Sequence, residues 1–307
     1  MKGEPRLFNL DTVMVDVVMM IDELPVRGGD ALTSQRLVTT GGGFNVMSAA
    51  ARHGMSVVYA GQLGTGSFAA VARDALHREQ IATPVAPDPS SDTGFCVVLV
   101  ERDGERTFVT APGAEKHLDY QSLVSLDVRS GDYVFLSGYC LVYAEIGASV
   151  EEWLPTLADD VIVAFDPAPR VLDIPSSIMR TVLARTDWLL CNAREAQQMS
   201  GSSSLEEAMT WLLAESGRAG VVIHDGSGGC LVSTRNITTT RVMGFATSVL
   251  DTNGAGDTHD GVFLAELARG TEVLEAARRA NAAAALAIRL FGPATCPTND
   301  EVSKWLE

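Results

Sequence analysis

The chain has 307 residues, 46% of them apolar, and a formal net charge of −16. This length and apolar content predict a single domain, residues 1–307, with a full hydrophobic core. The acidic balance argues against a nucleic-acid partner, because a phosphate backbone is bound by clustered Lys and Arg, and against an anionic membrane surface. A small anionic ligand stays compatible, since a local nest of backbone amides can outweigh the global charge.

The cysteines and the N-terminal segment indicate the cellular compartment in which we expect the protein. Five cysteines are scattered without metal-ligand spacing, which predicts reduced thiols and a cytoplasmic location. Residues 1–6 lack the long apolar core of a signal peptide. The apolar run Val13–Ile21 is interrupted by Asp16 and is too short to cross a membrane, so we expect no membrane partner.

The first segment combines strand-forming residues with a glycine run. Leu7–Met20 predicts one or two strands, with Asp16 either at a strand end or available to the hydroxyl groups of a ligand. Gly41–Gly43 then precedes a predicted helix from Val46 to His53. Three consecutive glycines favour close approach of a ligand to the main chain. Asn45 can both donate to and accept from a polyol.

The next unit offers a different class of function. Strand Val57–Gly61 and helix Phe68–Leu76 flank Gly64–Ala69, which matches G-x-G-x-x-A. That pattern is typical of dinucleotide-binding turns, and it makes an NAD-dependent dehydrogenase the alternative from another class. The acid expected about twenty residues on would be Asp88, which lies in a proline-rich loop rather than at a strand end.

A hairpin interrupts the alternation of strands and helices. Phe95–Glu101 and the strand from Arg106 to Val109 flank Asp103-Gly104, a strong hairpin signal. We expect this hairpin to project as part of a lid. Such a lid would exclude water from a binding site that it covers. Arg106 is interpreted as a solvent-exposed hairpin residue rather than a substrate-facing charge.

From Tyr133 onward, strands and helices alternate again. Tyr133–Gly138, Val161–Phe165, Trp188–Cys191 and Gly220–His224 predict parallel strands. Ligands of open α/β sheets gather at the carboxyl ends of strands, so Asp166 should lie on the functional edge. His224, at another strand end, is interpreted as structural.

The stretch 251–263 carries the clearest chemistry. A β-prone run, 238–249, precedes it, and a helical apolar pattern begins at Val262. The Gly254-Ala255-Gly256 turn therefore falls where a strand is expected to lead into a helix N-terminus, a natural anion site. Asp257 stands beside that site. It is either an ordinary helix-capping residue or a general base that takes a proton from a hydroxyl attacking a bound phosphoryl group.

Three motifs resemble the ribokinase-like, PfkB-type carbohydrate kinase family. Asp251–Asp257 fits its C-terminal D-T-x-G-A-G-D signature, Gly41–Gly64 resembles its N-terminal signature, and Asn192–Glu195 fits N-x-x-E. Val262, Asp260 and Met47 depart from the residues usual at their positions. The resemblance covers about residues 16–297. It implies a three-layer α/β/α fold with a mostly parallel sheet, a small β-sheet lid from about 12–40 and 92–112, and ATP-dependent phosphorylation of a hydroxyl on a sugar or sugar-like molecule.

The resemblance also implies roles for individual residues. Asp257 would be the base, and the amides of Gly254, Ala255 and Gly256 would stabilise phosphoryl charge. The acceptor would be held by Asp16 (with Asp11 and Asp30 as rivals), Gly42, Gly43 and Asn45. ATP would be bound by Asn192, Glu195, Gly226, Gly228 and Asn281, with Mg²⁺ held through water by Glu195, since a carboxylate facing a phosphate needs a cation between them. Asp251 and Asn253 form a candidate site for a monovalent cation such as K⁺.

Further alternatives stay open. A nucleoside kinase of the same fold would need an aromatic platform for a base, for which Phe44, Phe95 and Tyr139 are the candidates among only 6% aromatic residues. A ligand-binding relative without catalysis is disfavoured by the presence of Asp257. The lid could also pair with the lid of a second subunit to give a homodimer.

Overall fold

The computed structural model describes residues 3–103, 105–216 and 218–307. Within them the strands are β1 Arg6–Asn9, β2 Val13–Met20, β3 Gln35–Gly42, β4 Ser56–Tyr59, β5 Phe95–Val100, β6 Arg106–Ala111, β7 Tyr133–Ser137, β8 Ile162–Asp166, β9 Trp188–Asn192, β10 Gly220–His224, β11 Cys230–Thr234 and β12 Thr240–Val242.

The helices follow the strands in alternation over much of the chain. They are α1 Phe44–Arg52, α2 Ser67–Arg78, α3 Tyr120–Val124, α4 Gly138–Leu141, α5 Ala144–Trp153, α6 Ser176–Arg185, α7 Ala193–Ser200, α8 Leu205–Glu215, α9 Ala255–Ala268, α10 Val273–Ala287 and α11 Asn299–Leu306.

The central sheet has the order β12-β11-β10-β9-β8-β7-β1-β4. From β10 to β4 all neighbours are parallel, while β11 and β12 join by antiparallel pairing. The parallel strands are short and almost wholly buried, because helices cover both faces. The predicted mostly parallel sheet is confirmed.

Successive strand residues point to opposite faces, and each face has its own hydrophobic core. Leu7, Leu190 and Val222 belong to the core under α1, α2, α9 and α10. Phe8 and Leu189 belong to the core under α5, α6 and α8. The fold is therefore the expected three-layer α/β/α sandwich.

A second, smaller sheet stands apart from the central one, in the order β3-β2-β5-β6. Strand β5 pairs with β6 in antiparallel fashion, with Phe95 opposite Ala111, so the predicted hairpin is confirmed; Gly104 of its turn lies outside the described residues. A small apolar cluster of Val18, Cys96, Val98 and Val100 supports this sheet.

The run before α9 differs from the prediction. Regular strand structure covers only Thr240–Val242, and the chain from 243 to 254 has no regular strand or helix before α9 begins. The expected direct passage from strand to helix at Gly254 is therefore wrong. Part of this segment, including Phe245 and Val249, lines a cavity.

Close packing of α1 against α9 brings two distant parts of the chain together. A Cβ on Gly261 would lie 2.3 Å from the Val46 carbonyl oxygen and 2.7 Å from the Ala49 Cβ. Only glycine permits this approach of the two helices. The same contact buries Met47 and Val262 completely, so these two unusual residues fill the core between the helices.

Gly261→Ala should destabilise the fold. Because the added methyl group meets backbone atoms of α1, the helices must separate, and overpacking of this kind costs about 1–3 kcal/mol. Urea unfolding would measure the change in the free energy of unfolding.

Gly3→Ala is the control, since a Cβ there has no neighbour within 4 Å, and its effect should stay within about 0.5 kcal/mol. Equal stability of the Gly261 variant and the wild type would contradict the close approach of the helices.

Candidate active site

The site is built on the first turn of α9. Gly254 precedes the helix with φ +73°, a left-handed conformation that favours glycine. The first N–H groups of a helix have no partner within the helix. The Ala255 N–H donates to the Thr252 carbonyl oxygen at 3.3 Å, so the next amide, that of Gly256, is the one most available to an anion. Asp257 lies in the same turn.

Asp257 is held by a residue far away in sequence. The Asn45 side-chain Nδ2 donates to Asp257 Oδ2 at 2.8 Å. Burial raises the pKa of Asp257 to about 6, the Asn45 hydrogen bond opposes this rise, and the negative charge of Asp260 adds to it. The carboxylate is thus oriented and more basic than a free Asp, as a general base requires. The structure brings these two predicted site residues together.

Two further acids lie close enough to Asp257 to feel its charge. Burial, together with that charge, raises the pKa of Asp16 to about 6 and that of Asp11 to about 7. Asp16 and one of its two rivals, Asp11, therefore lie near Asp257. Asp30 is exposed, in the irregular segment between β2 and β3.

The glycine run serves the packing of the chain itself. A Cβ on Gly41 would overlap Asp16, at 2.3 Å from its Oδ2. Gly42 has φ +63°, and its Cβ would lie 2.4 Å from the Thr12 carbonyl oxygen; a Cβ on Gly43 would lie 2.9 Å from that of Asp11. The sequence attributed these glycines to a ligand, and the structure shows that they also make room for Asp16, Thr12 and Asp11.

A polar cavity of about 450 Å³ opens beside the first turn of α9. Its lining combines the Gly254–Asp257 turn with side chains from several strand ends: Tyr139, Asp166, Asn192, Glu195, His224 and Arg106. Asp166 thus lies on the predicted edge. The sequence missed two contributors, since His224 was interpreted as structural and Arg106 as a solvent-exposed hairpin residue.

Glu195 and Asn192 fix the start of α7. Asn192 Oδ1 accepts from the Glu195 N–H at 2.9 Å, and Glu195 Oε2 accepts from the Asn192 N–H at 2.8 Å. Burial raises the pKa of both Glu195 and Asp166, and each is raised further by neighbouring carboxylates. Such a crowd of oxygen ligands suits a hard divalent cation, whose charge would relieve their repulsion.

A second cavity of about 630 Å³ shares Gly226, Thr252 and Ala255 with the first. Its other walls are mainly apolar, from Phe245, Val249, Ala284 and Ile288, with Asn281 at one side. Asn281 Nδ2 is engaged by the carbonyl oxygens of Val242 and Met243, at 3.0 and 3.3 Å. Gly228 is not part of either lining; a Cβ there would lie 2.8 Å from Arg241 Nη1.

The carboxylate of Asp251 has several partners. It accepts from the Asn253 N–H at 2.8 Å and from the Gly292 N–H at 3.0 Å. It also forms an ion pair with Arg106 of the second sheet. Arg106 therefore links that sheet to the loop before the anion site.

The dinucleotide pattern at Gly64 has a structural explanation that excludes its use for a pyrophosphate. Asp92 accepts from the N–H groups of Phe68 and Ala69 at the start of α2, at 3.0 and 2.8 Å. A Cβ on Gly66 would lie 2.2 Å from the same carboxylate. The helix N-terminus is thus already occupied by an anionic side chain, and the dehydrogenase interpretation is wrong.

Comparison with known proteins agrees with this geometry. Residues 5–300 match the model of the pfkB family carbohydrate kinases, and the chain belongs to that family. It is therefore an ATP-dependent carbohydrate kinase. No helix in the described part of the chain is long and apolar enough to cross a membrane.

Individual relatives cover almost the whole chain. The uncharacterised sugar kinase YegV of Escherichia coli K12 is 32% identical over 97% of this chain and 95% of its own length. A ribokinase of Haemophilus influenzae is 28% identical over 92% of each. Among solved structures, a fructokinase from Vibrio cholerae with fructose, ADP and calcium has a TM-score of 0.82, at 24% identity and full coverage of both chains. A protein of E. coli provisionally assigned as ribokinase II, with ATP and Mg²⁺, has a TM-score of 0.87 at 21% identity, covering 98% and 99% of the two chains.

Asp11→Asn should stabilise the fold increasingly as pH rises. The pKa of Asp11 is about 7 in the folded chain against an ordinary 3.8, so its ionisation costs stability between those values. Asn keeps the acceptor for the Thr12 N–H and carries no charge. We expect little gain near pH 4 and a gain of roughly 2–4 kcal/mol by pH 8, measured by urea unfolding.

Asp119→Asn provides the comparison. Asp119 is exposed and caps α3 by accepting from the Ser122 N–H at 2.7 Å, so its replacement should give no gain at pH 8. A gain for the Asp11 variant that is the same at pH 4 and pH 8 would show that burial does not raise the pKa of Asp11.

Proposed function

We propose that this kinase transfers the terminal phosphoryl group of ATP to a hydroxyl of a sugar or sugar-like molecule bound beside Asp257, with Mg²⁺ as the divalent cation. The observation that carries the proposal is the position of Asp257. It is aligned by Asn45 at 2.8 Å, within the helix turn whose amides face a polar cavity. A base and an anion site in one turn suit the attack of a hydroxyl on a phosphoryl group.

The chain's own groups account for the transfer. Asp257 takes the proton of the acceptor hydroxyl as the hydroxyl oxygen bonds to phosphorus. The bond between phosphorus and the bridging oxygen breaks, and its electron pair leaves with ADP. The amides of Gly254, Ala255 and Gly256 stabilise the charge on the phosphoryl oxygens as the transition state forms. A pKa of about 6 leaves Asp257 ionised at neutral pH and ready to accept the proton.

Mg²⁺ and the nucleotide fit the two joined cavities. Glu195 and Asp166 would supply oxygen ligands to Mg²⁺, directly or through water, and the ion would neutralise phosphate charge. The apolar cavity beside Asn281 and Gly226 suits a flat nucleotide base. The structures of related kinases with ATP and Mg²⁺, or with ADP and calcium, support a nucleotide and a divalent cation as the ligands.

The acceptor would occupy the space beside Asp16, Gly42, Gly43 and Asn45. Asp16 and Asp11 both feel the charge of Asp257, which supports a position next to the base. An ionised carboxylate accepts hydrogen bonds, so these two side chains are well placed to bind the hydroxyl groups of a polyol. Met47 is fully buried, so it influences this space through core packing.

A nucleoside acceptor is the runner-up. Of the proposed aromatic platforms, Phe44 is buried and Phe95 stacks on Phe68 with ring centroids 4.6 Å apart. Tyr139 is 43% exposed and lines the polar cavity, so it is the platform that the structure leaves accessible. The adenosine kinase of Dictyostelium discoideum is 25% identical over 80% of this chain.

The second sheet is proposed to act as the lid, and a homodimer through it stays a prediction. Val38, Phe108 and Val109 on its strands are between 50% and 59% exposed, and a partner sheet would cover them. The five cysteines are buried and unpaired, which is consistent with the cytoplasmic location predicted from the sequence.

Asp257→Asn should lower kcat by roughly 10²- to 10⁴-fold, the usual contribution of a general base. The measurement is ADP release with a panel of pentoses, hexoses, ketoses, phosphosugars and nucleosides. One acceptor should stand out with the wild type and be silent with the variant. Asp88→Asn, in an exposed loop, should keep full activity; turnover of the Asp257 variant close to wild type would refute the assigned base.

A monovalent cation at Asp251 and Asn253 stays a prediction, and Arg106 bears directly on it. The guanidinium already pairs with the Asp251 carboxylate, whose two oxygens also accept from backbone N–H groups. Removing one partner of a largely buried ion pair leaves an uncompensated charge. Without Arg106, a cation from solution would have to supply the positive charge beside the Asp251 carboxylate.

Arg106→Ala should therefore make turnover more dependent on K⁺ than it is in the wild type. We expect at least a tenfold loss of kcat in choline chloride and partial recovery in KCl at equal ionic strength. Arg106→Lys keeps the positive charge, so KCl should raise its kcat less than it raises that of Arg106→Ala. If both variants and the wild type respond to K⁺ equally, Arg106 does not serve the Asp251 carboxylate in this way.

A further inference from the structure

Three side chains beside the polar cavity form a compact group of potential metal ligands. His224 ends β10, while His259 and Asp260 are consecutive residues of α9. Their donor atoms all lie within 4.8 Å of one another. His224 Nε2 is 3.1 Å from Asp260 Oδ1, and His259 Nδ1 is 3.9 Å from the same oxygen. The 35-residue separation hid this group from the sequence, where no two histidines have metal-ligand spacing.

The polar atoms of this group are buried without hydrogen-bond partners. His259 is 3% exposed and Asp260 is fully buried. Among the described residues, both ring nitrogens of His259, both oxygens of Asp260 and His224 Nε2 have no partner of hydrogen-bond geometry. Asn281 lies beside His259, but its amide nitrogen is engaged by the Val242 and Met243 carbonyls.

Burial of this kind is costly. An unsatisfied buried polar group costs about 1–3 kcal/mol, and more when it is charged. The 3.1 Å approach of His224 Nε2 to Asp260 Oδ1 can compensate only one ring nitrogen and one oxygen, and the centroid of the His259 ring lies 4.4 Å from that of the His224 ring and 6.2 Å from that of the Phe263 ring. Several lone pairs therefore converge on a small space in which a cation would satisfy them together.

We propose that His224, His259 and Asp260 bind a divalent transition-metal ion such as Zn²⁺. Two imidazole nitrogens and one carboxylate oxygen suit Zn²⁺, Co²⁺, Fe²⁺ or Ni²⁺, whereas Mg²⁺ and Ca²⁺ prefer oxygen ligands alone. His224 also lines the polar cavity, so a fourth ligand can come from that side as water or an anion.

The ion would place positive charge directly behind the anion site. Asp260 raises the pKa of both Asp166 and Asp257 by its negative charge, and a bound cation would cancel that effect. The site is separate from the Mg²⁺ position assigned to Glu195. Binding of the ion does not require ATP or an acceptor, so it can be tested whether or not the proposed reaction is correct.

The test uses the full-length protein, stripped with EDTA and kept in millimolar Mg²⁺. After incubation with Zn²⁺ and desalting, elemental analysis should find one ion per chain. Titration with Co²⁺ should develop the visible absorption of a site with nitrogen ligands. His259→Phe and Asp260→Asn should each weaken the affinity by more than the roughly 10- to 100-fold that loss of an outer-shell partner costs.

Matched controls locate the ion. His117→Gln removes an exposed histidine paired with Glu145 at 2.7 Å and should leave binding unchanged. Glu195→Gln and Asp257→Asn should also retain the ion, which separates this site from the catalytic one. Asp260→Asn preserves side-chain size, and its near-ultraviolet circular dichroism checks that the fold is kept. Substoichiometric metal in the wild type, or equal affinity in the His259 and Asp260 variants, would overturn the proposal.

Discussion

The hydrogen bond between Asn45 and Asp257 is the contact on which the site depends. It joins residues 212 positions apart, and it exists because Gly261 lets α1 and α9 approach until backbone meets side chain. In the proposed mechanism, α1 brings the acceptor side of the site, and α9 brings the base and the anion site. Packing between two helices thus sets the geometry of the chemistry, and the core below them fixes that packing.

Electrostatics gives the site its second constraint. Asp11, Asp16, Asp166, Asp257 and Glu195 are gathered with their pKa values raised by burial and by one another. Such a cluster lowers the stability of the folded chain. Clusters of this kind are typical of functional sites, where groups must take up protons or bind cations. The cost falls when cations enter, which couples the acidity of the base to the occupancy of the site.

Much of this could be predicted because local pattern and global fold agree. The parallel strands, the hairpin and the Gly254–Asp257 turn follow from apolar runs, Asp-Gly turn chemistry and small residues before a helix. What failed depended on contacts across long separations. Nothing near Arg106 reveals Asp251, nothing near His224 reveals Asp260, and the helix cap supplied by Asp92 to Phe68 turns an apparent nucleotide pattern into an internal one. The irregular path of 243–254 runs against a β-prone composition, so local propensity did not decide it.

The junction between β3 and α1 has a mechanical consequence. Strand β3 ends at Gly42 and α1 begins at Phe44, so one residue, Gly43, connects the second sheet to the helix that carries Asn45. With so short a connection there is no slack. A rotation of the sheet would be transmitted to α1 as torque, with the left-handed Gly42 as the pivot. If the second sheet acts as the proposed lid, its movement over a substrate would also move Asn45 and so align Asp257 in the same step.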